Sequence, residues 1–125
     1  MSSNVPADLR YTKDHEWARR EGDLIVVGIT AHAVEQLGDI TLVTLPNAGT
    51  KVTEGERFGD VDSVKAVSEL FAPLGGEVVE KNGELDAAPE SLNEDPYAGW
   101  MIKIRPTNPA DFDRLLAAAD YEKLL

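Results

Sequence analysis

The stretch Gly59-Asp60-Val61-Asp62-Ser63-Val64-Lys65-Ala66-Val67-Ser68-Glu69-Leu70 constrains the fold of this chain more than any other. Turn signals bracket it evenly. Gly55, within Glu54-Gly55-Glu56, precedes Lys65 by ten residues, and Gly75, within Pro73-Leu74-Gly75-Gly76, follows it by ten. Glycine and proline punctuate a chain because they supply or fix backbone angles that other residues resist. Between these marks Val61, Val64, Ala66, Val67 and Leu70 flank a single lysine. The spacing predicts two short strands, Arg57 to Ser63 and Val67 to Ala72, meeting in a tight connection that holds Lys65. A lysine there is held out in solvent on a rigid support, where an enzyme can find and modify it.

The same grammar runs along the rest of the chain. Glu16 to Arg20 reads as a strand turning at Glu21-Gly22-Asp23 into Leu24-Ile25-Val26-Val27-Gly28-Ile29, a β-branched run of the kind a buried strand shows. Thr30 is placed to cap a short helix, Ala31 to Leu37, which Gly38 can end in a left-handed conformation. Asp39 to Leu45, Thr50 to Thr53, Gly76 to Lys81 and Trp100 to Arg105 read as strands, with turns at Pro46-Asn47-Ala48-Gly49 and Asn82-Gly83. Asp86 to Tyr97 is a polar connection with one helical turn around Glu90 to Asn93. After Pro106, Asn108 with Pro109 behind it is a helix start, and Phe112, Leu115 and Leu116 give that C-terminal helix its apolar stripe. Asp120 is placed to cap a last turn, Tyr121 to Leu125. Many short strands at this spacing predict a sandwich or barrel with helices at its edges. No linker divides the chain, so residues 1–125 read as one domain.

Composition narrows the function. The chain has 125 residues, enough for one core, and contains no cysteine, so disulfides, thiolate nucleophiles and cysteine-ligated zinc are excluded and any sulfur chemistry needs an attached group. With 23 acidic against 12 basic residues the formal charge is -11, which disfavours nucleic acid and anionic membranes and favours basic partners. Only His15 and His32 are available for a histidine metal site. The longest apolar run, Leu24 to Ile29, is far too short to span a bilayer. Met1 to Pro6 has neither a basic region with an apolar core nor the arginine-rich look of a transit peptide. The expected location is cytoplasmic, or mitochondrial if a transit peptide was removed.

Taken together and in order, a set of short motifs resembles the glycine cleavage system H protein family across most of the chain. They are Tyr11-Thr12-Lys13-Asp14-His15-Glu16-Trp17-Ala18, Val27-Gly28-Ile29-Thr30-Ala31-His32-Ala33, Leu37-Gly38-Asp39-Ile40 and Val43 to Pro46. They continue with Val64-Lys65-Ala66, Ser68-Glu69, Ala72-Pro73, Gly76-Glu77-Val78, Leu92-Asn93, Asp95-Pro96-Tyr97, Gly99-Trp100 and Ile102-Lys103-Ile104. The family usually has Glu-Ser-Val-Lys where this chain has Asp62-Ser63-Val64-Lys65, and its loop before the Gly-Trp pair is usually one residue longer. Biotin carriers place methionine on both sides of the modified lysine, and lipoyl domains of 2-oxo acid dehydrogenase complexes have Asp-Lys-Ala. Val64 and Ala66 match neither pattern in full.

The resemblance implies a mostly β fold, a barrel-sandwich hybrid of the lipoyl/biotinyl carrier type with a short early helix and a C-terminal helix. It implies a carrier without its own catalytic site, with lipoate covalently on Lys65. The arm would take the aminomethyl group of glycine from a pyridoxal-phosphate glycine decarboxylase to a tetrahydrofolate-dependent aminomethyltransferase. A dihydrolipoyl dehydrogenase would restore the disulfide, and lipoylating enzymes would attach the arm. A relay of lipoyl groups to other enzymes, or a lipoyl domain of a 2-oxo acid dehydrogenase system, are the alternative readings. The resemblance further puts Glu16, Asp14 and Glu69 where carboxylates would hold the protonated amine of the loaded arm in a cleft, with His32 near it. On residues alone these acids read as a solvated face, and His15, Trp17 and Trp100 as structural.

Overall fold

The turn glycines divide the chain into short strands, which the computed structural model describes over residues 5–125. Residues 1–4, part of the stretch read above for targeting signals, lie outside the described residues. The order is β1 (Arg10–Tyr11), β2 (Glu16–Glu21), β3 (Leu24–Ile29), α1 (Ala31–Leu37), β4 (Ile40–Thr44), β5 (Lys51–Val52), β6 (Arg57–Ser63), β7 (Val67–Phe71) and β8 (Gly76–Lys81). Two four-residue helices, α2 (Glu84–Ala87) and α3 (Ser91–Glu94), cross to β9 (Ile102–Pro106). A 3₁₀ helix (Pro109–Arg114), β10 (Leu116–Ala117) and α4 (Ala118–Glu122) follow. The strands form a seven-stranded sheet, β10-β1-β2-β3-β9-β8-β5, and a three-stranded sheet, β4-β6-β7. The fold is mostly β with helices at its margins, as the turn spacing predicts.

The sheet alternation decides where the core sits. Successive strand residues point to opposite faces. Ile25, Val27 and Ile29 of β3 join Val43, Val61, Leu70, Ile102 and Ile104 in the main core. Val26 belongs instead to a second cluster with Tyr11, Trp17 and Tyr121. Burial on both faces is why β3 reads as a continuous apolar run rather than an alternating one. The neighbouring strand β2 alternates in the same way, with Trp17 in the second cluster and Ala18 in the main core. Trp17 lies opposite Gly28. A Cβ on Gly28 would sit 2.5 Å from the indole ring, so this position is the seat of the tryptophan.

Three local expectations are corrected. The Asn108 start is real, since its side chain accepts the Ala110 amide, but the helix it opens is a 3₁₀ helix that stops at Arg114. Leu115 and Leu116 are therefore not on a helical stripe. Leu116 pairs with Tyr11 as β10, because the edge of β1 offers unpaired backbone groups that a helix end cannot match. The last helix begins at Ala118 with no side-chain cap, so Asp120 lies inside it. Gly38 has φ +78° but ψ −146°, so its positive φ serves an extended exit from α1 rather than a left-handed turn. Asn82-Gly83 turns the chain as expected, and the turn leads into α2. Asn82 accepts the Glu84 amide at 3.1 Å and donates to the Trp100 carbonyl at 2.8 Å, pinning the start of α2 to the far end of the connection.

Candidate functional site

The β6–β7 hairpin presents Lys65 on a tip that is tied down from two sides. The Ser63 amide donates to the Ala66 carbonyl at 2.8 Å, closing the turn, and the Val64 amide donates to the Asp39 carbonyl at 3.0 Å, fastening it to the start of β4. Ser63 Oγ accepts the amides of Lys65 (3.3 Å) and Ala66 (3.1 Å), as serine does in tight turns. Lys65 itself is exposed, as are Val64 and Val67 beside it. Its aliphatic stem passes Gly38: a Cβ there would lie 3.5 Å from Lys65 Cε. An exposed amine on a braced tip suits covalent acylation of its nitrogen.

Glu16 is the other unusual group. It is 1 % exposed, yet it is a carboxylic acid. Alternation along β2 turns it away from the Trp17 side and into the space between the two sheets. There Thr12 Oγ1 donates to Oε1 at 2.7 Å, and the Phe71 amide at the end of β7 donates to Oε2 at 3.2 Å. Thr12 Oγ1 in turn accepts the amides of Asp14 and Glu16, both at 3.2 Å. Burial pushes the Glu16 carboxyl up to about 8, against the downward pull of the Thr12 and Phe71 hydrogen bonds and with a further upward push from Asp14. Desolvation disfavours the charged form, and two donors do not fully offset it.

The folded value lies above the ordinary 4.5 of a glutamate, so between the two the folded state holds a proton that the unfolded chain has lost. The Glu16 contribution to stability is fully present below 4.5, declines as pH rises, and is lost once pH passes about 8. In thermal unfolding, Glu16→Gln is expected to gain on the unmodified wild type across that window and to hold a constant lead above it. A pH-independent gap would contradict the buried, protonated carboxyl.

Glu16 lies on a cleft of about 390 Å³, lined also by Tyr11, Thr12, Lys13, Asp14, Glu54, Gly55, Ala72, Pro73, Arg114, Leu115 and Leu116. Of the acids singled out from the sequence, the structure brings Asp14 and Glu16 together here. Glu69 stands elsewhere. It faces Asp60 across β6–β7, and Arg57 holds both, with Nε 3.2 Å from Glu69 and Nη2 2.6 Å from Asp60. His32 also lies outside the lining of the cleft. Its ring packs on His15, centroids 4.6 Å apart. His15 Nδ1 is 2.7 Å from the Tyr121 hydroxyl, which is 2.8 Å from Thr30 Oγ1, so the histidines belong to the joint between α1 and α4. Burial, then His32, lowers the affinity of His15 for a proton, against Asp14.

Sequence reasoning missed Thr12 as a partner of Glu16, and it missed Glu54 and Arg114 altogether. Thr12 stands four residues before Glu16, a spacing that a tight turn brings into contact. Nothing local marks Glu54 and Arg114, which are 60 residues apart and meet only in the fold. No helix of the described residues is long and apolar enough to cross a membrane.

Comparison with known proteins adds to this geometry. The family model described as "Glycine cleavage H-protein" matches residues 9–125. The chain is similar to proteins named glycine cleavage system H protein from Anaeromyxobacter sp. strain K (58% identical over 119 residues, 94% of this chain and 93% of the relative) and Myxococcus xanthus (52% over 126 residues, 100% and 98%). Among solved structures, it is similar to the crystal structure of a glycine cleavage system H protein from Mycobacterium marinum, with a TM-score of 0.87 and 42% identity over 95% of this chain and 97% of that one.

Proposed function

The chain belongs to the glycine cleavage H-protein family, and from that membership we propose that Lys65 bears the lipoyl group and that the cleft around Glu16 docks the loaded arm. The family role is that of a lipoyl carrier in glycine cleavage, not of a catalyst, and its partners are components of that system. The observation that carries the reading is the exposed amine on a hairpin tip braced by Ser63 and Asp39. The residues fit the group, since an amide to an exposed lysine nitrogen needs access and a fixed approach, and both are present. When bound, the dithiolane supplies the sulfur that accepts and releases the aminomethyl cargo, which a chain without cysteine lacks.

The chain's own residues do the rest. Lys65 fixes one end of the arm. Glu16 offers a carboxyl whose two oxygens are already oriented by Thr12 and Phe71, with Asp14 at the exposed side of the same cleft. A protonated amine arriving there would draw the proton off Glu16 and make a charge-assisted hydrogen bond in a water-poor setting. Glu69 and His32 are not part of this dock as we propose it. The loading partner is a pyridoxal-phosphate glycine decarboxylase, the unloading partner a tetrahydrofolate-dependent aminomethyltransferase, and the oxidising partner a dihydrolipoyl dehydrogenase. Intact mass after expression with a lipoylating enzyme and lipoate tests the anchor. A lipoyl increment mapped by peptide to Lys65 is expected, and its persistent absence would sink the proposal.

A further inference from the structure

We propose that Arg114 and Glu54 form a clasp across the mouth of the cleft that sets how long a docked arm stays, a role that rests on the docking reading above. One wall of the cleft is the β10-β1-β2 edge of the large sheet, represented by Leu116, Tyr11 and Glu16. The other is the pair of turns that flank the small sheet, Glu54-Gly55 and Ala72-Pro73. Two side-chain links cross from wall to wall. At the floor, buried Glu16 accepts the Phe71 amide at 3.2 Å. At the rim, Arg114 Nη2 lies 3.0 Å from Glu54 Oε1, and the two side chains are 63% and 58% exposed.

The backbones that carry the rim pair are each held independently of it. Behind Arg114, the guanidinium of Arg10 donates to the Leu115 carbonyl at 3.1 Å, and Leu116 pairs with Tyr11. Beneath Glu54, the Gly55 amide donates to the Ala72 carbonyl at 2.8 Å, and the Ala72 amide donates to the Glu56 carbonyl at 2.8 Å. The walls therefore stay in place when the pair opens, and only two exposed side chains move. Asp111 lies 2.8 Å from the same Arg114 nitrogen and keeps the guanidinium aimed while the clasp is open. An exposed pair of this kind is weak, so it opens and closes readily and is screened by salt. A stronger bridge would trap a carrier's arm, and an empty rim would leave the amine at Glu16 open to water. Arg114 and Glu54 are positioning residues, touching no reacting atom.

The test is the rate at which loaded, lipoylated protein loses its aminomethyl cargo without partner enzymes. Arg114→Gln and Glu54→Gln are each expected to speed the loss about two- to fivefold, and the double variant no more than either alone. Arg114→Lys keeps a charge for Glu54 and is expected to stay close to wild type. Added salt should speed the loss from wild type and change the Gln variants less, which a merely structural residue would not produce. An unchanged rate in Arg114→Gln, or additive effects in the double variant, overturns the clasp. Glu16→Gln, run alongside, tells whether the dock falls with it: a faster loss there with no change in Arg114→Gln removes the clasp and leaves the dock standing.

Discussion

Lys65→Arg abolishes lipoyl attachment and leaves the fold unchanged: this is the expected result with the largest effect. Acylation forms an amide between the lysine nitrogen and the carbonyl carbon of an activated lipoyl donor, whose leaving group departs while the nitrogen gives up its proton. Lysine can present an unprotonated nitrogen. Arginine stays charged at any relevant pH, and its delocalised nitrogens are poor nucleophiles. The side chain at position 65 is exposed, and what defines the tip is backbone hydrogen bonding and the hydroxyl of Ser63. Unfolding stability should therefore move by no more than about 0.5 kcal/mol, the range for surface changes away from special features. Intact mass should show no lipoyl increment, and glycine-dependent carbon dioxide exchange with the decarboxylase should vanish. Exchange that survived in Lys65→Arg would place the arm on another lysine and refute the anchor.

Glu16→Gln is expected to hasten loss of the aminomethyl cargo about tenfold, the low end of what a hydrogen bond to a charged group contributes. Glutamine keeps the size of the side chain and one oxygen for the Thr12 hydroxyl or the Phe71 amide, and replaces the other oxygen by an NH2 that neither ionises nor accepts. The dependence on pH is the sharper readout. In the empty cleft Glu16 holds its proton up to about 8. Docking a protonated amine expels that proton, so docking strengthens, and cargo loss slows, as pH rises toward 8. Glu16→Gln should show no such slope. A wild-type rate that is flat with pH, or a variant that keeps the slope, would take Glu16 out of the dock.

The hairpin was legible because its signals are local. Glycine and proline mark its ends, apolar residues flank the lysine within a few positions, and the strands observed, Arg57–Ser63 and Val67–Phe71, depart from expectation by one residue. The Thr30 cap and α1 were legible for the same reason: Thr30 accepts the Ala33 amide at 3.3 Å, three residues on. What was not legible depends on distant partners. Leu115 and Leu116 have good helical spacing, yet pairing with β1 over a hundred residues away overrides it. Glu69 carries the right charge, but Arg57 on the adjacent strand had already claimed it. That Glu16 would be buried was also not readable from its type, since acids are almost never fully buried unless paired. Only the register of β2 against β3, and Phe71 reaching it from the other sheet, explains its place.

The seven-stranded sheet ends in β10 on one side and β5 on the other, and each is two residues long. A sheet margin is a row of open backbone groups, and a long one invites another chain to add itself as a further strand. Margins this short offer too few groups to start such a ladder. A carrier of this family meets several enzymes in turn. The last segment of the chain covers β1, itself two residues long, with a strand no longer, so that margin of the large sheet stays short.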